Sequence, residues 1–120
     1  MYLNWSKFYT PYKERYVKNK VPTIPGVYTL YVLMENEKWN CFYVGNTENL
    51  HETMMMFLNG KGDPQILENI KEYICGFEFA PLENIEERHA ATKYLYDRLQ
   101  PECMEDPGGK GVRVNVAKSW

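Results

Sequence analysis

Residues 26–45 read Gly-Val-Tyr-Thr-Leu-Tyr-Val-Leu-Met-Glu-Asn-Glu-Lys-Trp-Asn-Cys-Phe-Tyr-Val-Gly. Residues 26–34 and 39–44 are rich in β-branched and aromatic types, whereas residues 35–38 between them are polar. β-Branched and aromatic residues favour strands, and two such runs with a short polar break are typical of a β-hairpin. We therefore predict a hairpin over this stretch.

Two tyrosines lie near the ends of the predicted hairpin, in the tripeptides Gly26-Val27-Tyr28 and Tyr43-Val44-Gly45. If the loop has an even number of residues, the numbers of facing residues add up to an odd value, which places Tyr28 and Tyr43 on one face of the sheet. Their hydroxyls are then expected to converge on one site.

The rest of the chain alternates between helical and strand patterns. Apolar residues at helical spacing predict helices that begin near Thr47, Asp63 and Pro81. Period-two alternation predicts a third strand over residues 73–80 and a short strand over residues 112–116. The order indicates an α+β fold, in which a small three-stranded antiparallel sheet is flanked by helices.

The chain has 120 residues, of which 44% are hydrophobic, so it can bury one compact core. We predict a single domain, with an amino-terminal arm over residues 1–21, a core over 22–104, and a loop with a short terminal strand over 105–120. No apolar stretch approaches the length of a membrane span or a secretory signal. We expect a cytoplasmic protein that does not bind membranes.

The three cysteines, Cys41, Cys75 and Cys103, form no Cys-x-x-Cys pair. The sequence therefore suggests neither a disulfide framework nor a zinc site. We expect reduced thiols that are mostly buried.

The net charge of −2 conceals an asymmetry along the chain. Five cations and one carboxylate give residues 1–20 a charge of +4, so the remaining hundred residues carry −6. The cations are Lys7, Lys13, Arg15, Lys18 and Lys20. Aromatic residues lie between them, as in nucleic-acid grooves, but their steps of three and four favour a broken helix that packs one apolar face on the core. Both interpretations stay open.

The two tripeptides resemble the paired signature of the GIY-YIG nucleases. The segment Tyr43-Val-Gly-Asn-Thr-Glu-Asn-Leu50 is similar to the family's passage into its first helix, and a late helix ends at Leu99-Gln100-Pro101 as the family's does. The resemblance covers about residues 22–104. It implies a fold that cuts phosphodiesters with tyrosine, arginine and a glutamate-held metal ion, with Tyr28 handling the proton and Tyr43 supporting it.

The sequence departs from this pattern at the charged positions. The resemblance places the family's arginine at Thr53 and its metal-binding glutamate at Thr92, so both threonines are expected to point toward the same pocket as Tyr28 and Tyr43. Threonine supplies neither a cationic fork for phosphate nor an anionic oxygen for magnesium. A basic residue and a histidine common in relatives become Asn46 and Phe57, and the family's closing asparagine is absent unless Asn115 serves.

Other side chains on the two bordering helices offer substitutes. Glu86 or Glu87 would hold a metal, and His51, His89 or Arg88 would supply the cation. Simpler roles also fit, since acids favour the first turn of a helix and a histidine often packs at the edge of a core.

Three hypotheses follow from these observations. We favour a catalytically inactive GIY-YIG-like domain that acts as a nucleic-acid-binding or regulatory module and needs no cofactor. The alternatives are a divergent magnesium-dependent endonuclease and a protein-interaction domain without a nucleic-acid role. DNA, RNA or a protein is the expected partner. Likeness of fold does not choose among them.

Overall fold

The structure is a computed structural model, which describes residues 1–116. Its elements are, in chain order, α1 (Glu14–Lys20), β1 (Gly26–Leu33), β2 (Trp39–Thr47), α2 (Leu50–Leu58), α3 (Pro64–Glu72), β3 (Cys75–Pro81) and α4 (Ile85–Leu99). The strands form one antiparallel sheet in the order β2-β1-β3. This confirms the predicted α+β fold with a three-stranded antiparallel sheet.

The hairpin loop has an odd number of residues. The prediction that Tyr28 and Tyr43 share one face of the sheet assumed an even number. Five residues, 34–38, separate the two strands. The Met34 amide donates to the Lys38 carbonyl at 2.8 Å, and Glu37 adopts a positive φ of 64°. A left-handed residue after a tight turn is common in short hairpin loops. Next to this loop, Leu33 faces Trp39 and the facing numbers add up to an even value.

A β-bulge restores the odd register before the tyrosines are reached. The register shifts between Leu30, which faces Tyr43, and Tyr31, which faces Cys41. The extra residue is Phe42, which is buried on the same side as Leu30. A bulge inserts one residue on one strand and re-aims the side chains beyond it. The bulge therefore offsets the odd length of the loop. Tyr28 and Tyr43 lie on one face of the sheet, which confirms the prediction.

Both faces of the sheet are buried, each beneath different helices. Residues of β1 that point to one face pack with residues of α1, α2 and α3; this core includes Val17, Tyr28, Leu30, Leu50, Met54 and Ile66. Residues that point to the other face pack with α4; this core includes Val27, Tyr31, Val44, Ala91 and Leu95. The alternation along β1 thus assigns each helix to a face.

The amino-terminal arm runs along β3 as an irregular segment, so the broken helix predicted for it is wrong before Glu14. Its amides donate to β3 carbonyls from Ser6, Tyr9 and Tyr12, at 2.7, 3.0 and 2.8 Å. Three arm residues therefore span the length of two strand residues, which explains an aromatic spacing of three without a helix. The pairing also covers an edge that would otherwise expose unpaired backbone groups.

Two helices begin later than the sequence predicted. Pro81 is the last residue of β3, and α4 starts at Ile85 behind the cap residue Asn84, whose side chain accepts from the Glu87 amide at 2.9 Å. Asn49, and not Thr47, caps α2. Both caps are asparagines, which rank with serine and aspartate in this role. The predicted start of α3 at Asp63-Pro64 is confirmed.

Residues 112–116 form no strand, contrary to the prediction from their alternating valines. They lie against the amino terminus, where Asn115 Nδ2 donates to the Leu3 carbonyl and Trp5 Nε1 donates to the Asn115 carbonyl, both at 2.9 Å. The remainder of the predicted strand region, residues 117–120, is outside the described residues.

Among residues 1–116, no helix has the length and apolar character needed to cross a bilayer.

Candidate functional site

Tyr28 and Tyr43 form a stacked pair on the face covered by α2. Their ring centroids are 6.1 Å apart and the rings are tilted by 20°. The two phenol groups are close enough for each to influence the pKa of the other. Phe57 of α2 contacts both rings, with centroids at 6.2 and 6.4 Å. The side chains of Tyr28 and Tyr43 therefore lie together, as expected from the sequence. They form part of an aromatic cluster and not an open polar site.

The environment of the pair keeps both phenols neutral. Tyr28 is 4% exposed, and burial raises its pKa well above the usual range, with further increases from the neighbouring Tyr43. Burial also raises the pKa of Tyr43, and the carboxylate of Asp63 adds to the increase. A tyrosine must lose its own proton before it can act as a general base. The raised pKa therefore leaves little of the active phenolate form near neutral pH.

Each tripeptide glycine lies where a side chain would collide with its neighbours. Gly45 faces Tyr28 across the hairpin, and a Cβ at this position would overlap the Tyr28 ring and hydroxyl. A Cβ at Gly26 would overlap the Ala80 carbonyl and the Leu50 side chain, the latter at 2.6 Å. Close approach of this kind is a main reason for glycine within a strand. The packing alone therefore accounts for both glycines.

Thr53, at the position that the resemblance gives to arginine, belongs to an uncharged pair. Its Oγ1 lies 2.7 Å from Oγ1 of Thr47, at the end of β2. Thr47 Oγ1 also accepts from the Asn49 amide at 3.1 Å, so this hydroxyl helps to start α2. The local role of the pair is to join the end of a strand to the start of a helix.

Thr92, at the position given to glutamate, lies on the other side of the sheet. Its hydroxyl donates to the Arg88 carbonyl at 2.8 Å and accepts from Nδ2 of Asn46 at 3.1 Å. Asn46 faces Val27, which belongs to the α4 core. The expectation that Thr53 and Thr92 share one pocket with the tyrosines is therefore wrong for Thr92, because adjacent strand residues point to opposite faces.

The substitute cation and acids on α4 have other surroundings. Arg88 is 2% exposed, and its Nη1 donates to the Leu82 carbonyl at 3.3 Å and to the Glu83 carbonyl. The guanidinium thus closes the loop between β3 and α4. Glu86 and Glu87 are exposed acids in the first turn of α4, where the helix dipole favours them.

The two histidines likewise lack a link to the tyrosine pair among the described residues. His51 Nδ1 lies 3.0 Å from the Val21 carbonyl, which joins α2 to the end of α1. His89 is exposed on α4. Within residues 1–116, no hydrogen bond found for either histidine reaches Tyr28 or Tyr43.

A groove beside Tyr43 was not predicted from the sequence. It has a volume of about 730 Å³. Its lining residues are Tyr43, Asp63, Pro64, Gln65, Glu102, Cys103, Met104 and Glu105. Three of these are carboxylates and none is a cation. The segments that form the groove are far apart in the chain, so the only signal for it in the sequence was the negative charge of residues 21–120.

The five cations of the arm are all exposed, as a binding surface requires. Lys18 forms a salt bridge of 2.6 Å with Glu14, and the Arg15 guanidinium lies 4.9 Å from the centre of the Tyr16 ring. Lys7, Lys13 and Lys20 extend from the same arm and α1. The structure leaves their predicted role in nucleic-acid binding as a prediction.

The contact between Tyr28 and Gly45 can be tested by a double-mutant cycle. We expect Gly45→Ala to lower the free energy of unfolding by about 2–3 kcal/mol, because the added methyl overpacks the ring. In a Tyr28→Ala background the same change should cost less than about 0.5 kcal/mol. Urea denaturation of the four proteins measures both values. An equal cost in the two backgrounds would contradict the contact.

Three solved structures resemble the chain over most of its length, whereas a scan of protein-family models and a search of curated proteins gave no match. All three are point mutants of the GIY-YIG N-terminal endonuclease domain of UvrC from Thermotoga maritima, bound to its catalytic divalent cation. They share 21%, 20% and 21% sequence identity with the chain, with TM-scores of 0.58, 0.58 and 0.54. Each alignment covers 78% of this chain and 98%, 98% and 99% of the respective neighbour. This chain therefore has a GIY-YIG-like fold.

Proposed function

We propose that this chain is a GIY-YIG-like domain that does not cleave nucleic acid and that acts as a nucleic-acid-binding module. The observation that carries the proposal is the pairing of uncharged side chains at the positions that the resemblance gives to charged ones. Thr53 pairs with Thr47, and Thr92 pairs with Asn46. The tyrosine pair remains, but it has lost the charged groups with which it would act.

Cleavage of a phosphodiester places demands that these residues do not meet. Negative charge develops on the scissile phosphate and on the leaving oxygen, and a cation or a metal ion must stabilise it. Within the described residues, no group of three or more His, Cys, Asp or Glu side chains could hold a metal ion. At the position that the resemblance gives to the metal-binding glutamate, Thr92 offers only a neutral hydroxyl, which already bonds the Arg88 carbonyl and Asn46. This residue does not fit a divalent cation, and we expect the chain to work without a cofactor.

The charge beside Tyr43 also argues against a phosphate cradle. Asp63, Glu102 and Glu105 line the adjoining groove. Carboxylates repel a nucleic-acid backbone, which is bound through cations. A substrate phosphate at the tyrosine pair would therefore meet repulsion where a nuclease needs attraction.

The amino-terminal arm supplies the cations that the tyrosine site lacks. Residues 1–20 carry +4, and all five cationic side chains are exposed. Hydrogen bonds to β3 hold the arm on the sheet, so α1 begins from a fixed position. A cluster of exposed cations on an ordered element is the usual footprint of phosphate contacts.

We further propose that the protein works in the cytoplasm. Cys41, Cys75 and Cys103 are free thiols, and burial raises the pKa of both Cys41 and Cys75 to about 12. Thiols with a raised pKa form little thiolate and react slowly. Unpaired cysteines of this kind are typical of a reducing compartment.

The purified protein should not cleave DNA or RNA, single- or double-stranded, in the presence of magnesium or manganese. The reason is the absence of a charged clamp at the tyrosine pair. End-labelled oligonucleotides on a denaturing gel measure cleavage, and Tyr28→Phe serves as the matched variant. Cleavage by the intact protein that is lost in Tyr28→Phe would contradict the proposal and favour the divergent endonuclease.

Binding of nucleic acid should depend on the arm and on salt. Changing Lys13, Arg15 and Lys18 to Ala removes three cations, so we expect weaker binding. The slope of log affinity against log salt concentration should fall by the equivalent of about three phosphate contacts. Fluorescence anisotropy with a labelled duplex and a labelled single strand, at several salt concentrations, measures both effects.

The matched control for the arm variant changes Lys38, Lys61 and Lys71 to Ala, which removes the same charge from exposed positions elsewhere. We expect the control to bind more tightly than the arm variant. Equal weakening in the two variants would show that only net charge matters. No binding by the intact protein would replace the nucleic-acid role with the protein-interaction role.

A further inference from the structure

A second groove shares one lining residue, Glu102, with the groove beside Tyr43. The second groove has a volume of about 530 Å³ and runs from the end of the hairpin to the end of α3. Its lining residues are Val32, Leu33, Met34, Glu35, Asn36, Asn40, Asn69, Tyr73 and Glu102. We call the two grooves together the acidic surface.

The acidic surface has one sign of charge. Its carboxylates are Glu35, Asp63, Glu102 and Glu105, and no lysine, arginine or histidine is found among the lining residues that the structure describes. Burial raises the pKa of the Cys103 thiol, and nearby carboxylates, which include Glu102 and Asp63, raise it further. Grooves lined by one sign of charge focus the field and attract the opposite charge.

Large apolar side chains are exposed on and beside the same surface. Tyr73 is 59% exposed, Met34 is 40% exposed, and both line the second groove. Ile74, next to Tyr73, is 57% exposed, and its carbonyl accepts from the Leu33 amide at 2.9 Å. Apolar groups that cluster within a polar rim are a common mark of a protein-binding surface.

We propose that the acidic surface docks a basic amphipathic segment of another protein. Exposed apolar anchors would take its apolar side chains, and the surrounding carboxylates would take its lysines or arginines. Nucleic acid is excluded as the occupant by charge repulsion. A lone metal ion does not explain the apolar anchors.

The chain's own arm is also basic, but it cannot occupy this surface in the same molecule. Hydrogen bonds from Ser6, Tyr9 and Tyr12 hold the arm along β3, at one edge of the sheet. Tyr43, which lines the first groove, lies on β2 at the opposite edge. Tyr73 of the second groove lies two residues before Cys75, whose carbonyl accepts from the Tyr12 amide, so this groove approaches the fixed end of the arm. The arm therefore does not occupy the acidic surface of its own molecule.

The test uses a fluorescently labelled synthetic peptide of about 18 residues, with leucine and lysine at helical spacing. Two comparison peptides replace every lysine with glutamate or every leucine with serine. The intact protein should bind the first peptide at least about tenfold more tightly than either comparison peptide, because charge and apolar contacts both contribute.

Two variants locate the binding on the acidic surface. The triple variant Asp63→Asn, Glu102→Gln and Glu105→Gln removes charge with little change of shape, and asparagine retains the capping of α3. It should weaken binding by at least about tenfold at low salt. The double variant Met34→Ser and Tyr73→Ser should weaken it by at least about fivefold. Circular dichroism confirms that each variant is folded.

The control variant removes three exposed carboxylates that do not line either groove, through Glu48→Gln, Glu83→Gln and Glu86→Gln. Its affinity should stay within about twofold of the intact protein. Equal weakening in the control and in the triple variant, or no binding by the intact protein, would overturn the proposal.

A second copy of the chain is the competing occupant. If light scattering shows an oligomer that the triple variant dissociates, the surface joins two copies and the proposed protein partner is wrong. A monomer at the assayed concentrations supports the proposal. The Lys13, Arg15 and Lys18 variant should bind the peptide as the intact protein does, so the two binding surfaces can fail independently.

Discussion

The packing of Tyr28 against Gly45 is the contact on which the rest of the hairpin face depends. Because Gly45 has no side chain, the Tyr28 ring lies directly on β2 and reaches Tyr43. Phe57 then packs on both rings and fixes α2 to the sheet. Buried aromatic clusters of this kind contribute large apolar areas and favourable ring contacts. The packing of α2 on the sheet therefore depends on the absence of a side chain at Gly45.

This packing accounts for the two tripeptides without any role in phosphodiester cleavage. The glycines of both tripeptides are required by close contacts, and the tyrosines fill the core that those contacts create. None of this needs a charged partner. A chain can therefore keep the two tripeptides while uncharged pairs such as Thr47–Thr53 occupy the charged positions of the resemblance. The tripeptides indicate a fold, and activity has to be argued from the groups around them.

The sequence predicted most of what local patterns determine. The hairpin, the common face of Tyr28 and Tyr43 and the cap at Asp63 are confirmed, although the tyrosine face was right only because the bulge offset an odd loop. Apart from the two helix starts, where asparagine caps were missed, the features that the sequence missed depended on distant contacts. The arm lies along β3 because β3 offers it an edge, and the groove beside Tyr43 joins three separate segments. The spacing of residues along the chain does not reveal contacts between segments that are far apart in sequence.

The ionisation of Tyr28 tests the central claim, that the tyrosine pair is neutral core packing. Its raised pKa means that it stabilises the fold below pH 10, the usual tyrosine value, and that this stability is lost as pH rises further. NMR of the tyrosine Cζ carbon, with Tyr28→Phe for assignment, follows the titration. We predict that Tyr28 stays protonated until the protein unfolds above about pH 10. Ionisation of Tyr28 in the folded protein below about pH 9 would reveal a stabilising cation and contradict the account.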